Sequence, residues 1–206
     1  MSLEILFRIS TIAISLIALI VSFSVAWSNR KTLHVEISDL EVVADGEVGF
    51  VNEEGITDTY GPCLIAKIEV VNPSPKDIAF FDLRAFYPDT NMNLPLLTKR
   101  TIGTTHRNRI IWRAIKMPTA ELSLMEQVLP DMNYGIFKAN SFTRFHIIMF
   151  PNENASDLYL SFKVAIKAKI KDKFAVTGRK KFKFHGKKYS ISNWNENTEP
   201  LLPLEK

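Results

Sequence analysis

The side chains best able to do chemistry are few in this 206-residue chain and lie far apart in sequence. The motifs G-x-S-x-G, G-x-x-x-x-G-K-[ST], H-E-x-x-H and C-x-x-C, which mark nucleophile, phosphate and zinc sites, do not occur in it. We therefore predict no catalytic residue, no cofactor and no metal, with a hydrolase site assembled by folding as the enzyme alternative. The residues considered are one cysteine, Cys63, and four histidines without metal-ligand spacing, His34, His106, His146 and His185.

Several polar residues have a structural interpretation instead. His146 lies in the apolar run RFHIIMF, and Cys63 precedes two aliphatic residues, so we expect both side chains to pack within the fold. Asn72 and Ser74 are expected to form a turn by bonding to nearby backbone. A lone cysteine cannot form an internal disulfide, which fits a reducing compartment.

Charge is distributed unevenly along the chain and indicates binding rather than catalysis. Residues 163–188 contain eleven Lys or Arg and one acid, whereas residues 32–66 contain eight acids and no Lys or Arg. The basic stripe is a candidate site for anionic lipid or another polyanion. The structural alternatives are that its lysines protect an edge strand or that they face the acidic segment. The candidate contact residues are Lys163, Lys167, Lys169, Arg179, Lys181 and Lys183.

These six cations share one face if the last two strands form a hairpin centred on Asp172. A turn at Thr177-Gly178 would instead put lysines opposite the apolar set. With the first register, the phenylalanines face the core and are not stacking platforms beside the lysines, so we predict no sequence-specific nucleic-acid partner. The residues predicted to face the core are Phe162, Val164, Ile166, Ala168, Ile170, Phe174, Val176, Phe182 and Phe184.

The element that would position this stripe is an apolar stretch near the N-terminus. No charged residue occurs from Ile9 to Trp27, and such a helix rises about 1.5 Å per residue, enough to nearly match a hydrocarbon core of about 30 Å. We predict a single-pass signal-anchor, because a cleaved signal peptide has a shorter apolar region. A secreted, shortened chain is the alternative, since Ser24-Val25-Ala26 resembles a cleavage site. The predicted anchor residues are Ile9, Leu16, Leu19, Val21 and Trp27.

The flanks of this stretch indicate orientation and partners. Arg30 and Lys31 follow it and Arg8 alone precedes it, so the positive-inside rule predicts a cytoplasmic domain, with an extracytoplasmic one as the alternative. The predicted partners are the lipid bilayer, an unidentified protein and, through the anchor, a second copy of the chain. Close approach of a second helix would use the small residues Thr11, Ser15, Ala18, Ser22 and Ala26.

The remaining residues predict one domain of antiparallel strands. We assign residues 1–31 to the anchor, 32–188 to a β-sandwich domain and 189–206 to a flexible tail. One exception to the strand pattern is PTAELSLMEQVL, residues 118–129, where helical spacing predicts a short crossover helix. The predicted strands cover Leu33–Ile37, Leu64–Val71, Ile78–Phe86, Arg109–Ile115, Phe145–Phe150, Val164–Ile170 and Phe174–Phe184.

The stretch AKIEVVNPSPKDIAFFDLRAFYPD, residues 66–89, resembles the strand-turn-strand of immunoglobulin-like domains. Together with LPDMNYGIFKANSFTRFHIIMF and the lysine-rich hairpin, it resembles small bacterial single-pass membrane-anchored proteins of unknown function. The resemblance implies an all-β, immunoglobulin-like antiparallel β-sandwich behind one N-terminal transmembrane helix, and it implies no activity. We therefore predict a membrane-tethered binding module without catalytic activity, and polyanion binding through the basic hairpin is the alternative.

Overall fold

The computed structural model describes residues 3–51, 57–102, 110–116, 122–167 and 182–195. Within these ranges the chain forms one helix followed by twelve strands that pair in antiparallel fashion, which confirms the all-β class with an N-terminal helix. The elements are α1 Leu3–Ser28, β1 His34–Ile37, β2 Glu41–Val43, β3 Val48–Val51, β4 Thr57–Thr59, β5 Cys63–Asn72, β6 Ile78–Phe86, β7 Ile110–Lys116, β8 Leu122–Glu126, β9 Gly135–Phe137, β10 Ser141–Met149, β11 Asp157–Lys167 and β12 Phe182–Ser190.

The helix α1 contains the 21-residue span Phe7–Trp27, which is long enough and, by its mean hydropathy, apolar enough to cross a membrane. The hydroxyls of Ser10 and Thr11 donate hydrogen bonds to the carbonyl of Phe7, and Ser15 donates to Thr11. Because these three hydroxyls donate to carbonyls within the helix, they remain hydrogen-bonded when lipid surrounds them. The predicted anchor residues all lie on α1 and are more than half exposed: Ile9, Leu16, Leu19, Val21 and Trp27.

The strands form three sheets. In the central sheet, β5 pairs with β1 and β2 along one edge and with β10 along the other. The front sheet has the order β12-β11-β6-β9, and the back sheet has the order β4-β3-β7-β8. β1 and β2 follow each other along β5, because Ile37 pairs with Ile68 and Glu41 with Ile65.

Two apolar cores lie on the two faces of the central sheet. The larger core joins the central and front sheets and contains Ile68 and Phe162, while the smaller core joins the central and back sheets and contains Cys63 and Ile111. Burial alternates along the first half of β10, but residues 146–149 are all buried. Continuous burial is typical of a strand covered on both faces, so the smaller core covers only this half of the central sheet.

β6 changes faces at a bulge in its middle. The register against β11 shifts by one residue between Phe81 and Arg84. Asp82 has a φ of 56° there, a left-handed conformation that Asp adopts more readily than β-branched residues do. The extra residue places Phe80 in the core before the bulge and Leu83 in the core after it.

Most predicted strands are present, but the predicted helix at residues 118–129 is wrong. Residues 122–126 form the strand β8, in which Met125 pairs with Arg113 of β7. The prediction rested on the helical spacing of Leu122, Met125 and Leu129, but Leu122 is 47% exposed while Leu129 is buried, so the three do not form one buried helix face. Pairing with β7 determines the structure here, because tertiary context outweighs local helix propensity.

The compact part of the chain extends beyond the predicted boundary at residue 188. Tyr189 pairs with Leu158 in the ladder of β12, and Ile191 donates its backbone N–H to the carbonyl of Ser156. Tyr189, Ile191 and Trp194 all belong to the larger core. The start of the predicted tail is therefore corrected to a position after Trp194, and residues 196–206 lie outside the described residues.

Candidate interaction surface

The register of β11 and β12 corrects the predicted face of the basic hairpin. Val164 pairs with Lys183 and Lys163 pairs with Phe184, so even-numbered residues pair with odd-numbered ones. Paired residues in an antiparallel ladder point to the same face. Lys163 therefore shares the outer face with Phe184, whereas Lys183 lies on the other face with Val164. The prediction that Lys163 and Lys183 share a face is wrong.

The physical reason is that β12 is an edge strand of the front sheet. Its core-facing side carries His185 and Lys187 instead of aliphatic residues. The ring of His185 stacks on Phe162 with the centroids 5.4 Å apart, and the ammonium of Lys187 reaches Asp39 at 2.7 Å. Inward-pointing charges are tolerated at a sheet edge, where they oppose pairing with a foreign strand. An apolar core-facing pattern was therefore not required of this strand.

Of the other four candidate cations, Lys167 alone lies among the described residues. Lys167 pairs with Phe182 after an irregularity in the register, so it lies in the ladder near the start of β12. Lys169, Arg179 and Lys181 lie outside the described residues. Polyanion binding by these side chains stays a prediction.

The outer face of the front sheet carries a set of aromatic rings that we call the aromatic face. Phe81 and Phe182 meet edge to face with their centroids 4.7 Å apart. Tyr159 lies 5.4 Å from Phe86 and 6.1 Å from Phe184. Phe182 and Phe184 are 45% and 48% exposed, so the prediction that they face the core is wrong, whereas Phe162 is buried as predicted. The aromatic face consists of Phe81, Phe86, Tyr159, Phe182 and Phe184.

A glycine allows one ring of the aromatic face to cross the neighbouring strand. A Cβ added at Gly186 would lie 2.5 Å from Cε1 of Tyr159 and 3.0 Å from the backbone oxygen of Leu160. The carbonyl belongs to β11 and cannot move without disturbing the ladder. Gly186 is thus required for the close approach that brings Tyr159 beside Phe184.

Cations and carboxylates are interleaved with these rings. The ammonium of Lys163 lies 2.7 Å from Oδ2 of Asp82, the residue at the bulge. The ammonium of Lys188 lies 2.9 Å from Oδ2 of Asp157, and this hydrogen bond raises the pKa of Lys188. Exposed ion pairs are weak because water screens them, so a partner can replace either carboxylate at little cost.

A cavity of about 350 Å³ adjoins the aromatic face beside β6. Its lining includes Arg84, Arg100 and parts of the segments 93–101 and 132–133. The guanidinium of Arg84 lies 4.4 Å from the centroid of Phe86. The two arginines add positive charge to this side of the front sheet.

Polar contacts join β12 to the segment after β1. The ammonium of Lys187 donates hydrogen bonds to Oδ1 of Asp39 and, at 3.1 Å, to the carbonyl of Ile37. The hydroxyl of Tyr189 donates to the carbonyl of Ser38 at 2.7 Å. The hydrogen bond and charge of Lys187 lower the pKa of Asp39, and burial raises the pKa of Tyr189. For Lys187 and Asp39, the expectation that the basic and acidic segments face each other is confirmed.

His146 and Cys63 are structural, as predicted. The Nδ1 atom of His146 accepts a hydrogen bond from the backbone N–H of Val128 at 2.9 Å, so the ring holds the segment after β8 against β10. Burial, assisted by the positive charges of Lys67 and Arg144, lowers the pKa of His146. Cys63 is fully buried, and burial raises the pKa of its thiol to about 12. Within the described ranges, no group of three or more His, Cys, Asp or Glu could hold a metal ion.

Asn72 and Ser74 form the predicted turn, and Asn72 also links two turns. Its Oδ1 accepts hydrogen bonds from the N–H and the hydroxyl of Ser74. Its Nδ2 donates to the carbonyls of Lys76, Phe137 and Lys138 at 2.8–3.1 Å. The turn between β5 and β6 is thereby fixed to the turn between β9 and β10.

No family model and no curated protein matches this chain. Among solved structures, the chain is similar to the YjhA protein of Bacillus subtilis, with 10% sequence identity and a TM-score of 0.33. The match covers 64% of this chain and 75% of that one. A similarity this low carries no argument about function.

Proposed function

We propose that the chain is a single-pass, membrane-tethered binding module without catalytic activity, and that the aromatic face is its binding surface. The observation that supports this most is the exposure of Phe182 and Phe184 beside Lys163. Aromatic side chains are enriched at the centres of protein interfaces, where a few of them contribute most of the binding energy. Charged residues such as Lys163 and Asp82 suit the rim of such an interface. The expected partner is another protein.

The tether itself favours such a role. α1 is followed after a few residues by Leu33, which is buried in the larger core. The aromatic face is therefore confined near the bilayer. Confinement raises the effective concentration of any partner held at the same membrane, so a moderate affinity suffices.

A photocrosslinking experiment tests the binding surface. A photoreactive residue replaces Phe184 in the full-length chain in its native membranes, and a matched control replaces Met92, which is 60% exposed near the far end of β6. The proposal expects a discrete protein adduct from position 184 that position 92 does not give. It is contradicted if both positions give the same adducts, or if position 184 gives none.

Binding to an anionic leaflet is the second candidate, and the direction of the last two strands favours it. β1 begins opposite the end of β5, and β6 starts at Ile78, just after the turn that Asn72 fixes. Both strands therefore start at the same end of the domain. Phe80, near that start, pairs with Val164, so β11 ends and β12 begins at this same end. The residues between them, 168–181, contain six Lys or Arg and one acid. Each such cation contributes about 1 kcal/mol where it comes close to an anionic surface.

Salt dependence tests this second candidate. Full-length chain in zwitterionic nanodiscs is mixed with vesicles containing phosphatidylserine, and co-flotation is measured at increasing salt. Lys163→Glu combined with Lys167→Glu is expected to weaken co-flotation, while Lys99→Glu, at a site paired with Asp131, serves as the control. Co-flotation that is insensitive to salt and to the double change would contradict electrostatic lipid binding.

We place the domain on the cytoplasmic side in this proposal. Arg30 and Lys31 follow the apolar span, while Arg8 before it is paired with Glu4 at 2.8 Å. The buried, unpaired Cys63 fits a reducing compartment. Protection of the domain from protease added to intact cells would support this side, and ready digestion would support the extracytoplasmic alternative.

We also propose that the sandwich is of the immunoglobulin-like type and that the chain self-associates through α1. Two facing antiparallel sheets, with the turn of Asn72 and Ser74 between β5 and β6, support an immunoglobulin-like type and the resemblance to small bacterial membrane-anchored proteins. Small residues such as Ala18 and Ser22 on α1 support self-association in the membrane. Replacing both with Leu is expected to reduce crosslinking between copies in the membrane, and unchanged crosslinking would contradict this contact.

A further inference from the structure

The face of the central sheet that points toward the smaller core is covered over only half of its length. Its uncovered part, which we call the open half, lies at the end of the domain where α1 joins it. His34, Val71 and Phe142 are direct neighbours across β1, β5 and β10 in this half. Val71 is 43% exposed and Phe142 is 54% exposed. The other half of the same face is covered by the smaller core around Ile65 and Ile148.

The chain between α1 and this face is short. The backbone N–H of Arg30 donates to the carbonyl of Trp27, and the guanidinium lies 3.9 Å from the indole centroid, so the ordered end of the helix extends to Arg30. Four Cα steps of about 3.5 Å then reach His34, a distance of at most about 14 Å. Because Trp27 suits the boundary between lipid and water, His34 and its neighbours lie close to the headgroups.

The polarity of the open half changes with distance from α1. Beyond the pair Val71 and Phe142, the next row holds Glu36, Glu69 and Arg144, and the Oε1 of Glu69 and the Nε of Arg144 lie 2.7 Å apart. The guanidinium of Arg144 lies 5.5 Å from the ring of Phe142. A row with two exposed apolar side chains beside His34 nearest the membrane, followed by a charged row, is the order expected of a surface that enters the headgroup layer to a shallow depth.

We propose that Val71 and Phe142 dock onto the lipid headgroup layer of the membrane that α1 spans. The tether argues for this occupant, because it holds these two side chains near lipid whether or not a protein partner is present. Docking also fixes the orientation of the domain on the membrane. The front sheet then lies on the opposite side of the central sheet from the docked residues. The inference rests on the membrane anchoring in the proposed function and is independent of the aromatic face.

Lipid quenching tests the docking in full-length chain. Cys63 is fully buried, so an environment-sensitive thiol dye reports an introduced surface cysteine. Single variants Phe142→Cys, Met92→Cys and Ser24→Cys are labelled and reconstituted in nanodiscs containing lipid with a nitroxide near the headgroup. The expected result is strong quenching at positions 142 and 24, with little at position 92.

The three positions distinguish failure of the docking from failure of the anchor. Quenching at position 24 with none at position 142 would overturn the docking and keep the anchor. Loss of quenching at position 24 as well would overturn both. A dye at Val71→Cys adds a further readout, because Phe142→Ser is expected to reduce its quenching, and unchanged quenching would contradict docking through Phe142. Near-ultraviolet circular dichroism of Trp112 and Trp194 checks that each variant is folded.

Discussion

Lys163 and Phe184 lie opposite each other in the ladder of β11 and β12, so a cation and an exposed ring share the outer face of the front sheet. The same register places Lys183 with Val164 on the core-facing side, where it begins the series of polar side chains along the edge strand. The two faces of the hairpin thus have different roles. The outer face offers a surface for a partner, and the inner face closes the sandwich toward β1 through Lys187.

Gly186→Ala is expected to destabilise the domain. The new Cβ would collide with the ring of Tyr159 and with the backbone oxygen of Leu160, and overpacking of this kind typically costs about 1–3 kcal/mol. Urea unfolding of the full-length chain in nanodiscs, followed by tryptophan fluorescence, measures the change. Gly61→Ala is the matched control, because its Cβ would meet only the side chain of Asp45, at 4.0 Å. Equal midpoints for the two variants would contradict the close approach of Tyr159.

The stability of the domain is expected to fall as the pH decreases from about 6.5 toward 4. Burial, with the charge of Lys183, lowers the pKa of His185 from 6.5 to about 4. As the pH falls through this window, His185 is protonated in the unfolded chain before it is protonated in the folded chain. Protonation therefore favours unfolding, and the free energy of unfolding rises with pH up to about 6.5. The lowered pKa of His146 acts in the same direction.

The variant His185→Phe tests the source of this pH dependence. A phenyl ring can keep the stacking on Phe162 but does not titrate, so the free energy of unfolding should change less between pH 6.5 and 4.5. His34→Phe replaces an exposed histidine and serves as the control. An unaltered slope in the His185 variant would refute the assignment.

Asp82 is expected to tolerate Asn far better than Val. Asn adopts a positive φ readily and loses only the ion pairs with Lys163 and Arg84, each about 0–1 kcal/mol. A β-branched Val in the left-handed region is strained by about 1–3 kcal/mol. Thermal unfolding of the two variants compares them. Similar melting temperatures would mean that the bulge does not depend on this conformation.

The boundary of the domain makes a prediction about truncation. A chain ending after Asn195 is expected to unfold cooperatively, whereas one ending after Lys188 lacks Tyr189, Ile191 and Trp194. Each of these buried side chains contributes about 1.5–3 kcal/mol, so their combined loss should abolish cooperative unfolding at ambient temperature. Equal stability of the two truncated chains would contradict the boundary and mean that these residues belong to the predicted tail.

Patterns that depend on local periodicity were predictable from the sequence. The strand Ile78–Phe86 has the predicted bounds, and the predicted strand Leu64–Val71 lies within β5. The apolar span near the N-terminus is a helix long enough to cross a membrane. In each case the burial pattern of one segment is sufficient to identify it.

Features that depend on pairing between segments were not predictable. The extra residue at Asp82 changes the face of β6 without a distinct sequence signal, so the outward position of Phe81 and Phe86 was missed. The predicted register of the hairpin required an apolar inner face on both strands, which an edge strand does not need. Gly186 within β12 was the available signal, because an interior strand glycine often marks a close approach. Leu122, Met125 and Leu129 fit helical spacing only while the pairing of β8 with β7 is unknown.

The most direct test of the central claim is the mass and location of the mature chain. We expect the mature chain to retain the span Phe7–Trp27 and to stay in the membrane pellet after extraction with alkaline carbonate. A soluble, shortened chain that begins near Trp27 would contradict it, because neither the tether nor the docking of Phe142 could then exist.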